Sequence, residues 1–203
     1  MMATTHALYG MAVGASVLAI APEYAPVAML VGFVAGFLPD LDTYATHRRT
    51  FHFPVYSFVV AVPSVAVAVL APSVVSVSLA TALVAMGLHA VMDVADGGLS
   101  LQPWADRPDR AVYSHFHGRW VAPRRVVEYD GAPADFLLAL AAGVPLLVLT
   151  TGSLRTLVVG TLVLSAGYVL VRKRLVDIAT VAIRYTPARL SVLVPRRFDE
   201  LSE

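Results

Sequence analysis

The fold class this sequence predicts is an all-α, polytopic membrane protein, and three observations predict it. Of the 203 residues 58% are hydrophobic and only 14% charged, with a mean hydropathy of +0.72, well away from the balance of a soluble domain. Uncharged runs occupy residues 7–22, 24–39, 53–71, 73–92, 136–154 and 156–171, each near the ~20 residues that cross a bilayer core, which predicts about six transmembrane helices. If all six cross, 14 of the 15 lysines and arginines share one side and Arg155 stands alone on the other. The positive-inside rule then makes the basic side, and both termini, cytoplasmic, in a multi-pass protein of the inner or plasma membrane.

No Lys or Arg precedes Arg48, so the first run lacks the positive flank of a cleaved leader and is expected to stay in the mature chain. Pro22, Glu23 and Pro26 separate it from the second run, and both are short enough to form a helical hairpin instead of two complete spans. Gly36 and Pro39 end the second run, and Pro54 suits the first turn of the third. Pro63 and Pro145 fall inside apolar runs and predict kinks. Residues 97–133 form the longest polar stretch, and their glycines and prolines argue for a cytoplasmic loop or small cap able to close over a site. Beyond Arg172-Lys173-Arg174, residues 175–186 read as an interfacial helix or a continuation of the sixth span, ended by Pro187, within an amphipathic cytoplasmic tail, 175–203. No internal repeat is visible, so 1–203 reads as a single integral-membrane domain.

The absence of cysteine excludes disulfides and thiolate metal sites, so any metal must be held by nitrogen and oxygen. A formal net charge of +1 gives no case for a nucleic-acid partner, and the lipid bilayer is the expected one. Asp40, Asp42, His47 and His52 crowd between the second and third runs. His89, Asp93 and Asp96 close the fourth, spaced four and then three residues apart, which puts them on one helical face, and His6 opens the first. The topology lands all of them at one membrane face, although the positive-inside count takes no account of His or Asp.

Such a mixed N/O set suits zinc first, with manganese, iron or magnesium as alternatives. The expected metal ligands are His6, Asp40, Asp42, His47, His52, His89 and Asp93. Asp96 is expected as a non-ligating general base, and Arg48 as the group holding an anionic part of the substrate. Arg49 reads as a headgroup contact. His115 and His117, beside Arg119 and Trp120, read as interface or substrate-loop residues and not as ligands.

An amino-terminal His6 opening an apolar run, Gly36 with Pro39, Asp40 and Asp42, then His47-Arg48 with His52, then His89 and Asp93, together resemble the membrane-bound metal-dependent hydrolase family, also described as LexA-binding, inner-membrane-associated hydrolases. The resemblance covers roughly the first hundred residues and implies a multi-span inner-membrane protein with metal-dependent hydrolase activity. Arg49 stands where the family commonly has a small residue, and Phe51-His52-Phe53 where it commonly has Thr-His-Ser. These departures bear on substrate preference more than on metal binding. The expected function is hydrolysis of an ester or phosphoester of an amphiphilic, lipid-like substrate at the cytoplasmic interface. The alternatives are a metal-ion or proton-coupled transporter, whose groups should lie near the midplane of a repeated fold, and a scaffold with a closed structural metal site.

Overall fold

The structure, a computed structural model, describes residues 1–185 apart from the side chains of Thr180 and Arg184. The expected stop at Pro187 and the tail beyond residue 185 lie outside the described residues. The chain is mostly helical, in the order α1 (Ala3–Ala15), α2 (Ala25–Phe37), α3 (Tyr56–Leu70), α4 (Val74–Val94), a short α5 (Pro103–Asp106), strands β1 (Val112–Ser114) and β2 (Arg119–Val121), α6 (Pro133–Leu149) and α7 (Gly152–Arg184). Pro63 and Pro145 sit within continuous helices. The run after Arg174 continues the last helix as one 33-residue rod and does not turn away as a separate interfacial segment.

Among the described residues, three helical stretches are long and apolar enough to cross a membrane: Pro22–Tyr44, Val74–Val94 and Gly152–Ile183. The six spans expected from hydropathy are not matched by six helices of that length. α1, α3 and α6 have 13, 15 and 17 residues, which at 1.5 Å per residue cover about 20–25 Å of a ~30 Å core. Counting uncharged residues overlooks what stops a helix. After Ala15 the chain tightens into a 3₁₀ turn, Ser16–Ala19, Pro54 delays the start of α3, and Ala71-Pro72 ends it.

α1 and α2 meet without side chains between their backbones. A Cβ on Gly10 would stand 2.0 Å from the Gly32 carbonyl oxygen, one on Gly14 would stand 2.3 Å from that of Ala28, and one on Gly36 would stand 2.4 Å from that of His6. The spacings Gly10-x-x-x-Gly14 and Gly32-x-x-x-Gly36 are the small-residue pattern that lets apolar helices approach this closely. α4 packs against α2 and α3, and α6 and α7 close on α1. Leu8, Met11, Met29, Leu146 and Val158 fill the core between them. α3 turns Val59, Val60, Val62, Val67 and Leu70 outward as exposed apolar side chains.

The polar stretch 97–133 is a cap built around an antiparallel hairpin that pairs Tyr113 with Trp120. It is tied to the segment before α3: the Tyr113 N–H donates to the Arg48 carbonyl at 2.9 Å, the Arg49 guanidinium lies 4.4 Å over the Tyr113 ring, and His115 Nε2–H donates to the Arg49 carbonyl at 2.7 Å.

Candidate metal centre

The connectivity that makes α1 and α2 antiparallel, and α3 and α4 likewise, brings the start of α1, the end of α2, the segment before α3 and the end of α4 to one place. There one ligand atom each from Asp40, His52, His89 and Asp93 lies within 4.8 Å of the others. His52, His89 and Asp93 are buried, whereas the Asp40 side chain keeps 20% exposure.

Hydrogen bonds behind the rings decide which way the imidazoles face. His89 Nδ1–H donates to the Gly36 carbonyl at 2.6 Å, and His52 Nδ1–H donates to Asp42 Oδ2 at 3.0 Å. Each neutral ring is therefore the Nδ1–H tautomer with its lone pair on Nε2, the arrangement that carboxylate or carbonyl partners impose on metal-binding histidines. The two Nε2 atoms stand 3.1 Å apart. Asp93 Oδ2 is 3.1 Å from the Nε2 of His52 and 3.5 Å from that of His89, and Asp40 Oδ1 is 3.6 Å from His89 Nε2. Lone pairs so placed repel unless a metal ion or a proton sits among them.

Charge leads to the same requirement. Asp40, Asp42, Asp93 and Asp96 bring four carboxylates together, and the fixed cations in contact with them among the described residues are Arg48 and the Met1 amino group. Arg48 pairs with Asp93 and Asp96, and the amino group lies 2.9 Å from an oxygen of each. With both rings neutral, two negative charges are left over in a mostly buried volume, a costly state that one divalent cation, or protons on the His52 and His89 rings, would relieve. Burial opposes charge on His52, yet its bonds to Asp42 and Asp93 raise its pKa above the ordinary histidine value. The same carboxylates make the ring a strong cation ligand.

The other expected site residues surround this group without joining it. His6 donates from Nε2 to Asp93 Oδ1 at 3.0 Å and stacks on His89 with ring centroids 3.8 Å apart, so it orients ligands from behind. Asp42 accepts four bonds: from His47 Nδ1–H (2.8 Å) and Arg48 N–H (3.3 Å) on one oxygen, and from His52 Nδ1–H and Phe51 N–H (3.2 Å) on the other. It organises the His47–His52 loop. Burial pushes the His47 pKa below the ordinary histidine value, leaving a neutral ring whose Nδ1–H is fixed by Asp42. Burial also opposes ionisation of Asp96, but the Met1 ammonium and Arg48 hold its carboxyl below the usual carboxylate range, which makes it a weak base. His115 and His117 stay apart from the group, on the Arg49 carbonyl and on Ser114.

Sequence reasoning did not single out three features. The Gly36 carbonyl fixes the His89 tautomer. Buried Asp135 ties α6 to the start of α1 by accepting from Met2 N–H and Thr5 Oγ1–H, both at 2.7 Å. A cavity of about 590 Å³ beside the group has Asp40, Thr43, His47, Arg48, Arg110 and Trp120 in its lining.

Asp42→Asn keeps the shape of the side chain but turns an amide NH₂ toward donors already facing it. Divalent-metal affinity should fall roughly 10- to 100-fold, the usual cost of losing an orienting carboxylate, with helix content unchanged. Competition against a chelator of known affinity measures this; unchanged affinity would remove Asp42 from its orienting role.

Comparison of the chain with protein-family models, with curated proteins and with solved structures finds no match in any of the three.

Proposed function

We propose that this chain is a membrane-embedded, metal-dependent hydrolase that works at the cytoplasmic membrane interface on an ester or phosphoester of an amphiphile. The observation that carries this reading is the convergence of His52 Nε2, His89 Nε2, Asp93 and Asp40, with both Nδ1 atoms already engaged by Asp42 and the Gly36 carbonyl. Partial exposure of Asp40 toward a cavity supports an enzyme over a scaffold, because a structural metal is closed off by its ligands whereas a catalytic one keeps an approach. Zinc is the first candidate for this donor set. When bound, the ion supplies Lewis acidity toward the bond under attack and acidifies water near neutral pH.

The chain's own residues do the rest. Asp42 holds His47 so that its second nitrogen is free to take a proton at the cavity wall, and we assign the general base there and not to Asp96. Arg48 balances Asp93 and Asp96 and itself lines the cavity. The six apolar runs form one bundle with the basic segments, and with them the site, on the cytoplasmic side; the short α1 and α2 form a tightly packed hairpin within it.

Turnover is tested with amphiphilic esters and phosphoesters in nanodiscs, after chelation and with zinc, manganese or magnesium restored. The expected result is metal-dependent hydrolysis of at least one class. Absence of turnover above a His89→Ala control with every metal would sink the hydrolase. Because the chain has no cysteine, single cysteines at Glu23, Ser73 and Glu128 report the topology: in intact cells an impermeant thiol reagent should label the first two and spare the third.

A further inference from the structure

Arg48 is only 6% exposed, and although its Nη2 donates to Asp96, its Nη1 has no hydrogen-bond acceptor among the described residues. The Thr43 hydroxyl is likewise buried without a partner. Both residues line the cavity beside the candidate metal centre. Leaving buried guanidinium and hydroxyl donors unmet is costly, so two such groups on residues that line one space mark a place built for an acceptor. The Arg48 backbone is held there at a positive φ of 57°. Its N–H is bonded to Asp42 and its carbonyl accepts from Tyr113 of the cap. Strain of this kind persists where the surroundings fix a functional side chain.

A third donor stands on the cavity wall. Arg110 stacks over Trp120 and has no carboxylate partner among the described residues. A planar guanidinium fork with a hydroxyl suits a phosphate oxyanion. The cavity is too large for a phosphate ion alone, since about 300–1,000 Å³ takes a whole organic ligand. Its wall also includes Leu101, Met2 and Leu164. Leu164 is 63% exposed and belongs to α7, a helix long and apolar enough to cross a membrane. The space therefore joins a cationic end to the outer apolar face of the protein.

We infer that this cavity is the headgroup site for an amphiphile that ends in a phosphate monoester, with the phosphate met by Arg48 and Thr43, Arg110 beside them, and the apolar chain leaving past Leu164. Insofar as it names the substrate class of the hydrolase it rests on that reading, but binding is measured apart from turnover.

The test uses metal-loaded protein in phosphatidylcholine nanodiscs and a fluorescent phosphatidic acid as probe. Unlabelled phosphatidic acid should displace it at least tenfold more effectively than phosphatidylcholine or diacylglycerol, and inorganic phosphate should not displace it. Arg48→Met should lower affinity at least tenfold. Because Arg48 also balances Asp93 and Asp96, Thr43→Val and Arg110→Ser give the safer readout: each should weaken binding roughly three- to tenfold, the range of one lost hydrogen bond, with metal stoichiometry unchanged. Equal competition by phosphatidylcholine, or wild-type affinity in both of these variants, overturns the site. Displacement by inorganic phosphate, with loss of that effect in Arg110→Ser, would reassign it to a soluble phosphate and overturn the lipid assignment. Tight phosphatidic acid binding without turnover removes the hydrolase and leaves this site standing; turnover of a neutral ester with no preference for phosphate does the reverse.

Discussion

His89→Ala should abolish both divalent-metal binding and hydrolysis while leaving the helical fold in place. The ring contributes one of four converging atoms, and its Nδ1–H ends on the Gly36 carbonyl, so its removal unpairs one carbonyl and takes a neighbouring imidazole from Asp40 and Asp93. The three remaining groups have lost their second nitrogen and hold a divalent ion far less well. A metal's combined effect on water and on the bond attacked is worth several kcal/mol, and each ~1.4 kcal/mol is tenfold in rate, so turnover should fall by about a thousandfold or more. Asp93→Ala should be as inactive but less stable, because Arg48 and the Met1 amino group both lose a buried partner. His117→Ala, whose ring among the described residues contacts Ser114 and Phe116 of the cap, should keep metal and activity. Metal content, circular dichroism and initial rates on the same preparations check this. A His89→Ala protein with full metal and full rate would place the chemistry elsewhere.

Gly32→Val should do comparable damage from well outside the site. Its Cβ would stand 2.0 Å from the Gly10 carbonyl oxygen, and that obstacle is backbone, so α1 and α2 must separate. Overpacking typically costs about 1–3 kcal/mol, and a clash that moves a whole helix belongs at or above the upper end. One turn further along, Gly36 holds the His89 tautomer and packs on the His6 carbonyl. Displacing α2 therefore misplaces the acceptor that orients a ligand. The expected outcome is lower yield of monodisperse protein, a lowered midpoint of thermal unfolding, and metal affinity reduced in the fraction that folds. Gly160→Val on α7, where a Cβ meets nothing within 4 Å, is the control. Equal stability of the two variants would remove the close α1–α2 contact from the account.

The candidate site was legible where spacing and charge carry direct geometric meaning. His89 and Asp93 are one helical turn apart, and the distribution of arginines indicated that Asp40 and His52 share their end of the bundle; all four meet. The positions of Asp42, His47, His6 and Asp96 around the group were not legible, because each belongs to the same residue classes as the four converging residues and differs from them only in what its second polar atom touches. The six runs do not appear as six helices of spanning length, α1, α3 and α6 being shorter, since hydropathy counts uncharged residues and not uninterrupted turns. The hairpin around Gly118 was hidden among the glycines and prolines of 97–133, although Val112, Tyr113, Trp120 and Val121 have strand-forming side chains. The paired Gly-x-x-x-Gly spacings of α1 and α2 were in plain view and pass unnoticed when glycine is taken only as punctuation.

The most direct test of the central claim is the metal stoichiometry of purified protein, after exhaustive dialysis against one divalent metal, compared with that of a combined His52→Ala, His89→Ala and Asp93→Ala variant. The geometry of the four converging atoms predicts bound metal in the wild type, one or more ions per chain, and close to none in the variant. Equal, stoichiometric metal in both would contradict it, because the ion would then be held by residues other than these.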